Sequence, residues 1–304
     1  MKILLTGGNG LIGDHLGSAL DRAGIEFVKL IRNPLRASTG GEPFFGDLAN
    51  VADVDRFVAL GDTLVHLAWT SNPRSSDRDI HSDILQNLAV TARLFESFSK
   101  QHPHGHIVFA STGGDIYSFD PPHDPRAEDD KPEPNSSYSI QKLSAEHYLQ
   151  RLARKHGTSS TVLRIGNVYG TFIPEERALG LIGVALSLLQ KDRPIALLEP
   201  LNSVRDYVHL DDVAAAFTTV VRNKPGHGEH RVFNVGSGIG HSIGDVFEAI
   251  HRVTGKAIRW HDAYPENQAP TWNVLNIARI RSLTGWSPTI PLDQGIAAIW
   301  KKLG

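Results

Sequence analysis

Apolar and polar positions follow two rhythms along the first half of the chain. Short apolar runs at residues 2–6, 27–31, 62–68, 106–110 and 160–165 predict buried strands, and 43–45 a further short one. Between them lie stretches of helical period at 11–23, 83–99 and 139–156. In the stretch 83–99, Ile84, Leu88, Thr91, Phe95 and Phe98 recur at spacings of three and four, which puts them on one helix face. Strands apolar throughout and separated by helices predict a parallel sheet covered on both faces. Beyond residue 170 the alternation loosens. Helices are predicted at 179–190, 211–222, 243–254 and 292–303, and strands at 194–198 and 231–235. The Pro-rich acidic stretch 120–135 predicts a loop, either a solvated connector or a lid.

Composition narrows the function classes. The 304 residues are 40% apolar and 21% charged, which fits a globular chain and argues against long disorder. With no cysteine, disulfides, thiolate metal sites and Cys nucleophiles are excluded. A net charge of −2 gives no basic field for nucleic acid or an anionic membrane, so an anionic ligand must be gripped locally. The apolar start breaks at Gly7, Gly8, Asn9 and Gly10, and the stretch 179–189 is about half of the ~20 residues a spanning helix needs. A soluble cytoplasmic protein is the expectation.

The first predicted strand runs directly into Thr6-Gly7-Gly8-Asn9-Gly10-Leu11-Ile12-Gly13. Gly7, Gly10 and Gly13 at a strand-to-helix turn permit a tight bend, a close approach of a pyrophosphate and close helix packing. The helix N-terminus adds amides and partial positive charge. A dinucleotide is the expected ligand. An acid that would hold the adenosine ribose is expected about twenty residues on. Ile31 stands there and Arg32 follows, which favours NADP over NAD.

Tyr138 and Lys142 lie four residues apart and share a helix face. A phenol titrates near ~10, and a neighbouring ammonium lowers that value. Tyr138 can then take a hydroxyl proton while hydride leaves the same carbon. The fifteen histidines include an alternating His102, His104 and His106, and a looser group of His227, Glu229 and His230. Loop histidines are the plainer reading, and no metal is assigned.

The order of the glycine turn, Ser111-Thr112 after a strand, Tyr138 and Lys142, and the run from Thr161 to Gly170 resembles the extended short-chain dehydrogenase/reductases, the NAD(P)-dependent nucleotide-sugar epimerases and dehydratases. Gly46-Asp47-Leu48, Val65-His66-Leu67-Ala68, Asn87, the run from Arg205 to Val213, Phe233 to Gly238 and Gly285-Trp286-Ser287-Pro288 extend the resemblance over nearly the whole chain. It implies a Rossmann-like doubly wound α/β sheet with a smaller C-terminal α/β substrate lobe. The dinucleotide domain would comprise 1–170 and about 206–235, and the lobe about 171–205 and 236–304. It implies cofactor contacts from Gly7, Asn9, Gly10, Leu11, Ile12, Gly13 and Arg32. Asp47 and Leu48 would flank the adenine, with Leu67, Ala68, Trp69, Asn87, Tyr138, Lys142 and Ile165 further along the cofactor. Asn167 and Arg205 would meet a nucleoside-diphosphate sugar, the alternative for Arg205 being a salt bridge to Asp206 or Asp212. The helices 83–99 and 139–156 would form a homodimer bundle, unless their apolar stripes face the sheet.

The chain departs from that pattern in places. The family's Ser or Thr stands four residues before a tyrosine that is here Tyr117, and that position is Gly113. Thr112 is the candidate for the hydroxyl that holds the substrate, with Ser111 as fallback. Gly113-Gly114 replaces the Asp-Glu pair of the 4,6-dehydratases, and the acidic Cys of the 3,5-epimerase/reductases is absent. A second phosphate-binding arginine expected near residue 265 is missing unless Arg259 or Arg279 replaces it. The reading favoured is a nucleotide-sugar 4-epimerase. An NADPH-dependent 4-keto-sugar reductase is the alternative, and a non-catalytic dinucleotide sensor a third.

Overall fold

The computed structural model describes residues 1–33, 40–120, 124–171 and 180–303. The first part of the chain runs β1 (Ile3–Thr6), α1 (Leu11–Arg22), β2 (Phe27–Ile31), β3 (Glu42–Phe45), α2 (Val51–Val58), β4 (Thr63–His66) and α3 (Ile80–Ile84). A π-turn, Leu85–Ala89, leads into α4 (Val90–Gln101), followed by β5 (His106–Thr112), α5 (Ser137–His156), β6 (Ser159–Ile165) and β7 (Asn167–Tyr169). Next come α6 (Leu181–Gln190), β8 (Ile195–Leu197), β9 (Val204–His209), α7 (Leu210–Arg222) and β10 (His230–Val235). The chain closes with β11 (Gly240–Ser242), α8 (Ile243–Thr254), β12 (Trp260–Asp262), β13 (Trp272–Asn273), α9 (Ala278–Thr284) and α10 (Leu292–Lys301).

Seven strands form one parallel sheet in the order β3-β2-β1-β4-β5-β6-β10. The strand order reverses beside β1, and ligands of such sheets bind at that switch point. Alternate strand residues feed two cores. Ile3, Leu5, Val65, Val108 and Leu163 face α1 and α7 with Leu16, Leu20 and Phe217. Leu4, Val28, Leu64, Ile107 and Val162 face α2, α4 and α5 with Phe57, Phe95, Phe98 and Leu149. The predicted doubly wound α/β sheet is therefore present.

A second sheet joins β7, β9, β11 and β13, and β8 pairs with β12. The predicted return to the main sheet after residue 206 is made by α7 and β10, whereas β9 stands in the second sheet. A third core of Ile182, Leu186, Ile195, Phe247, Ile250 and Ile296 holds α6, α8 and α10 together.

Two predicted elements differ. The helix 83–99 is interrupted by the π-turn, whose extra residue turns Asn87 inward while Leu85 stays exposed. The segment 120–135 is more than a solvated connector where it is described. Glu128 is buried and accepts the Asn234 amide at 2.9 Å, and Arg126 bridges to Leu275. Residues 121–123 of that loop, and residue 179 of the predicted helix 179–190, lie outside the described residues. No helix among the described residues is long and apolar enough to cross a membrane.

Candidate functional site

The turn from β1 to α1 is built of contacts only glycine allows. Gly7 has φ +70°, and a Cβ there would lie 2.6 Å from the Ala68 nitrogen. A Cβ on Gly13 would lie 2.2 Å from the Gly7 carbonyl oxygen. Gly10 caps α1 without a side-chain bond, so the first amides of the helix lack both a carbonyl partner and a cap. Leu67 to Trp69 follow β4 directly beside this turn, the Leu67 amide donating to the Thr6 carbonyl at 3.2 Å. A cradle that a single Cβ would fill, ending on uncapped amides, fits a dinucleotide pyrophosphate.

Around it, Arg32 is exposed just past β2. Asp47 is fixed by accepting from the Ala49 amide, and Leu48 packs into the core under β2. His66 bonds Thr6 and Thr91 inside the sheet, and burial lowers it to about 3, so it is neutral. Asn87 accepts from the Thr70 amide at 2.7 Å and donates to Asp83 at 2.8 Å. Its amide is thereby spent on the loop after β4 and on α3. That loop in turn binds the start of α5. Ser76 accepts from the Tyr138 amide and Asp77 from the Ser137 amide, both at 3.0 Å.

Ser136 and Ser139 form a capping box that starts α5 and fixes where Tyr138 emerges. Lys142 Nζ donates to the Ala110 carbonyl at 2.8 Å and lies 3.9 Å from the Trp69 ring centre and 4.8 Å from that of Phe109. Trp69 meets Tyr138 edge-on at 6.1 Å. The Trp69 Nε1 is buried with no partner among the described residues. Burial pushes the Tyr138 phenol above its ordinary value, the charge of Asp115 adding to the rise. Burial lowers Lys142 to about 7 against the opposing pull of Glu146.

The two hydroxyls at the end of β5 separate. Thr112 lines a cavity of about 580 Å³ together with Leu11, Tyr138, Asn167 and Arg205. Ser111 instead donates to buried Glu146, whose carboxylate also receives a bidentate Arg164 guanidinium. Ile165, opposite Thr112 on β6, is buried. Arg205 pairs with Glu199 at 2.7 Å and packs on the Phe119 ring, rather than pairing with Asp206 or Asp212. Those two acids bond instead to Ser237 and to Thr289. Arg259 pairs with Asp192, and Arg279 with Asp129 and Glu128. Neither lines the cavity.

The histidines scatter. His102 bonds the Val58 carbonyl, His106 bonds Thr161, and the His104 ring meets that of His227 at a tilt of 41°. Glu229 pairs with Arg231, and His230 bonds Ser160. Sequence reasoning missed Asp115, Arg74, Phe119 and Glu199 at the cavity, and Glu146 behind it. Glu146 had a legible signal, lying four residues beyond Lys142 on the same helix face.

The model of the NAD dependent epimerase/dehydratase family matches residues 3–236. The chain belongs to that family. It is thus an enzyme that uses a nicotinamide dinucleotide. It is 31% identical over 243 residues to dTDP-4-dehydro-6-deoxyglucose reductase from Escherichia coli, covering 79% of this chain and 74% of the relative. The structure of UDP-glucose 4-epimerase from Thermotoga maritima with UDP-glucose superposes with a TM-score of 0.89 at 26% identity, covering 100% of this chain and 98% of that one. The complex of UDP-glucose 4-epimerase from Thermus thermophilus with NAD gives 0.88 at 29% identity, covering 99% of this chain and 98% of that one.

Proposed function

We propose that this chain is a nucleotide-sugar 4-epimerase acting on a nucleoside-diphosphate hexose, working as a cytoplasmic homodimer. The observation that carries this reading is one cavity wall. Tyr138 and Thr112 stand on it, Lys142 lies beside the phenol, and Leu11 at the start of α1 joins the same cavity. The dinucleotide domain is 1–170 with about 206–235, except that β7 and β9 join the second sheet, and the rest forms the substrate lobe.

Tyr138 is the base that takes the C4 hydroxyl proton, and Thr112 holds that hydroxyl by a hydrogen bond. Lys142, when protonated, supplies positive charge next to the phenol, which opposes the rise that burial gives it. Asn167 and Arg205 meet the sugar and its phosphates. Gly7, Gly10, Gly13 and the α1 amides hold the dinucleotide, which when bound supplies the acceptor and later the donor of hydride. Between the two transfers the 4-keto sugar turns over in the cavity, to whose wall Gly114 adds no side chain. Arg32 favours NADP over NAD. An equal or tighter dissociation constant for NAD overturns that preference.

The reductase relative and Arg32 favour a second reading, an NADPH-dependent reductase of nucleotide 4-keto-sugars. Denaturing the purified protein and identifying what it releases separates the two. An epimerase retains its dinucleotide and interconverts UDP-glucose and UDP-galactose without net cofactor turnover. A reductase consumes NADPH in proportion to keto-sugar. If neither reaction is observed, the epimerase reading is overturned.

A further inference from the structure

Between Thr112 and Tyr117 the chain runs Gly113-Gly114-Asp115-Ile116. Gly113 faces the interior, where a Cβ would stand 2.6 Å from Leu275, and Gly114 lines the cavity near the Asn167 amide, where a Cβ would stand 3.6 Å from Nδ2. Asp115 is therefore the first side chain of this loop to reach the cavity, which it lines together with Thr112, Tyr138, Asn167 and Arg205. It is 8% exposed.

Its position is firmly held. The Asp115 carbonyl accepts from the Asn135 amide at 3.1 Å and from the Asn135 side chain at 3.2 Å. Oδ2 accepts from Ser136, the cap of α5 two residues before Tyr138. No described residue donates to Oδ1. Asp115 lines the cavity, where a ligand hydroxyl can donate to the oxygen that Ser136 does not occupy. Burial raises its pKa, and the hydroxyls of Ser136 and Ser139 oppose that rise. Two charged groups also face it, Asp77 disfavouring its ionised form and Arg205 favouring it. The Arg205 guanidinium is already committed to Glu199, Thr271 and the Val204 carbonyl.

We propose that Asp115 determines sugar specificity, its free carboxylate oxygen accepting hydroxyls of a neutral hexose and its charge rejecting a hexuronate. The proposal rests on the nucleotide-sugar reading above. A hydroxyl donor supplies the bond that Oδ1 lacks and offsets a charge that adds to the effect of burial on the Tyr138 phenol. A sugar carboxylate places a second negative charge in the same partly desolvated space. Juxtaposed like charges are the usual means of rejecting a wrong partner.

The test is made in the Tyr138→Phe background, so that binding is read without turnover. UDP-glucose and UDP-glucuronate are titrated calorimetrically into that protein and into Asp115→Asn added to it. Asparagine keeps the shape and the acceptor for Ser136, removes the charge and puts an NH2 donor where the second carboxylate oxygen stood. The expected result is a shift of at least about tenfold in the ratio of dissociation constants toward the uronate, about 1.4 kcal/mol. If the asparagine variant does not fold, Asp115→Ser is the second neutral variant, and the same shift is expected of it. Retained binding of UDP-glucose with a ratio within about twofold of the parent overturns the Asp115 assignment alone. Failure of the parent to bind either nucleotide overturns the nucleotide-sugar reading and this proposal with it.

Discussion

Ser111 and Thr112 are adjacent hydroxyls at the end of β5, and their chemistry diverges because successive strand residues face opposite ways. Ser111 is committed to a buried carboxylate, and Thr112 faces the cavity beside Tyr138. The two substitutions should therefore fail differently. Ser111→Ala leaves Glu146 one donor short, at a cost of about 1–3 kcal/mol in stability. It leaves kcat within about twofold, because Arg164 still pairs with the carboxylate. Thr112→Val is nearly isosteric and leaves the melting temperature unchanged. It lowers kcat about a hundredfold, the scale of losing one preorganised donor at a reacting oxygen. Thermal melts and steady-state kinetics on the two variants check this. The reverse pattern would make Ser111 the hydroxyl that holds the substrate.

The turn between β1 and α1 belongs to the scale of elements, because its glycines set how a helix sits on a strand. A Cβ on Gly13 would overlap the Gly7 carbonyl at 2.2 Å and the Gly8 Cα at 2.6 Å, whereas one on Gly10 would meet the Gly7 carbonyl at 3.1 Å. Backbone cannot yield at the first distance without moving α1 off β1. Gly13→Ala should thus lower the melting temperature and weaken dinucleotide binding more than about tenfold, while Gly10→Ala leaves the melting temperature near that of the parent. Fluorescence titration and thermal melts measure both, and equal stability of the two variants would contradict the argument. This turn was legible in the sequence because its whole logic is local. So were the long strands, whose apolar runs need no partner to be recognised. The eight-residue α2 was not, being too short for its periodicity to stand out, and the π-turn is a single extra residue inside an otherwise helical pattern. The two- and three-residue strands of the second sheet carry almost no pattern at all. The commitments of Asp115 and Arg205 depend on partners such as Ser136, Glu199 and Thr271. A motif identifies such a residue but not what already occupies it.

At the scale of the whole molecule, the helices on one side of the sheet have more apolar surface than the sheet uses. Leu94, Phe95 and Phe98 of α4 and Ala145 and Leu149 of α5 fill the inner core. On the opposite face of α5, Ile140 is 55% exposed, and Tyr148 stands two turns along the same face. Ile80, Ile84 and Leu85 are exposed on α3 and the adjoining π-turn. The choice between sheet-facing stripes and a dimer bundle is thus not exclusive, because each helix carries both faces. A contiguous apolar patch rimmed by polar residues marks an association site, and a patch repeated on every copy is satisfied most simply by a two-fold axis. The protein is therefore expected to sediment with twice the mass of one chain at micromolar concentration. Leu85→Glu combined with Ile140→Glu places four charges in the shared face of a pair. That double variant should sediment as a monomer while keeping the parent's far-ultraviolet circular dichroism, because neither side chain contributes to the inner core. A parent that is monomeric at that concentration, or a double variant that stays dimeric, would move the interface away from these helices.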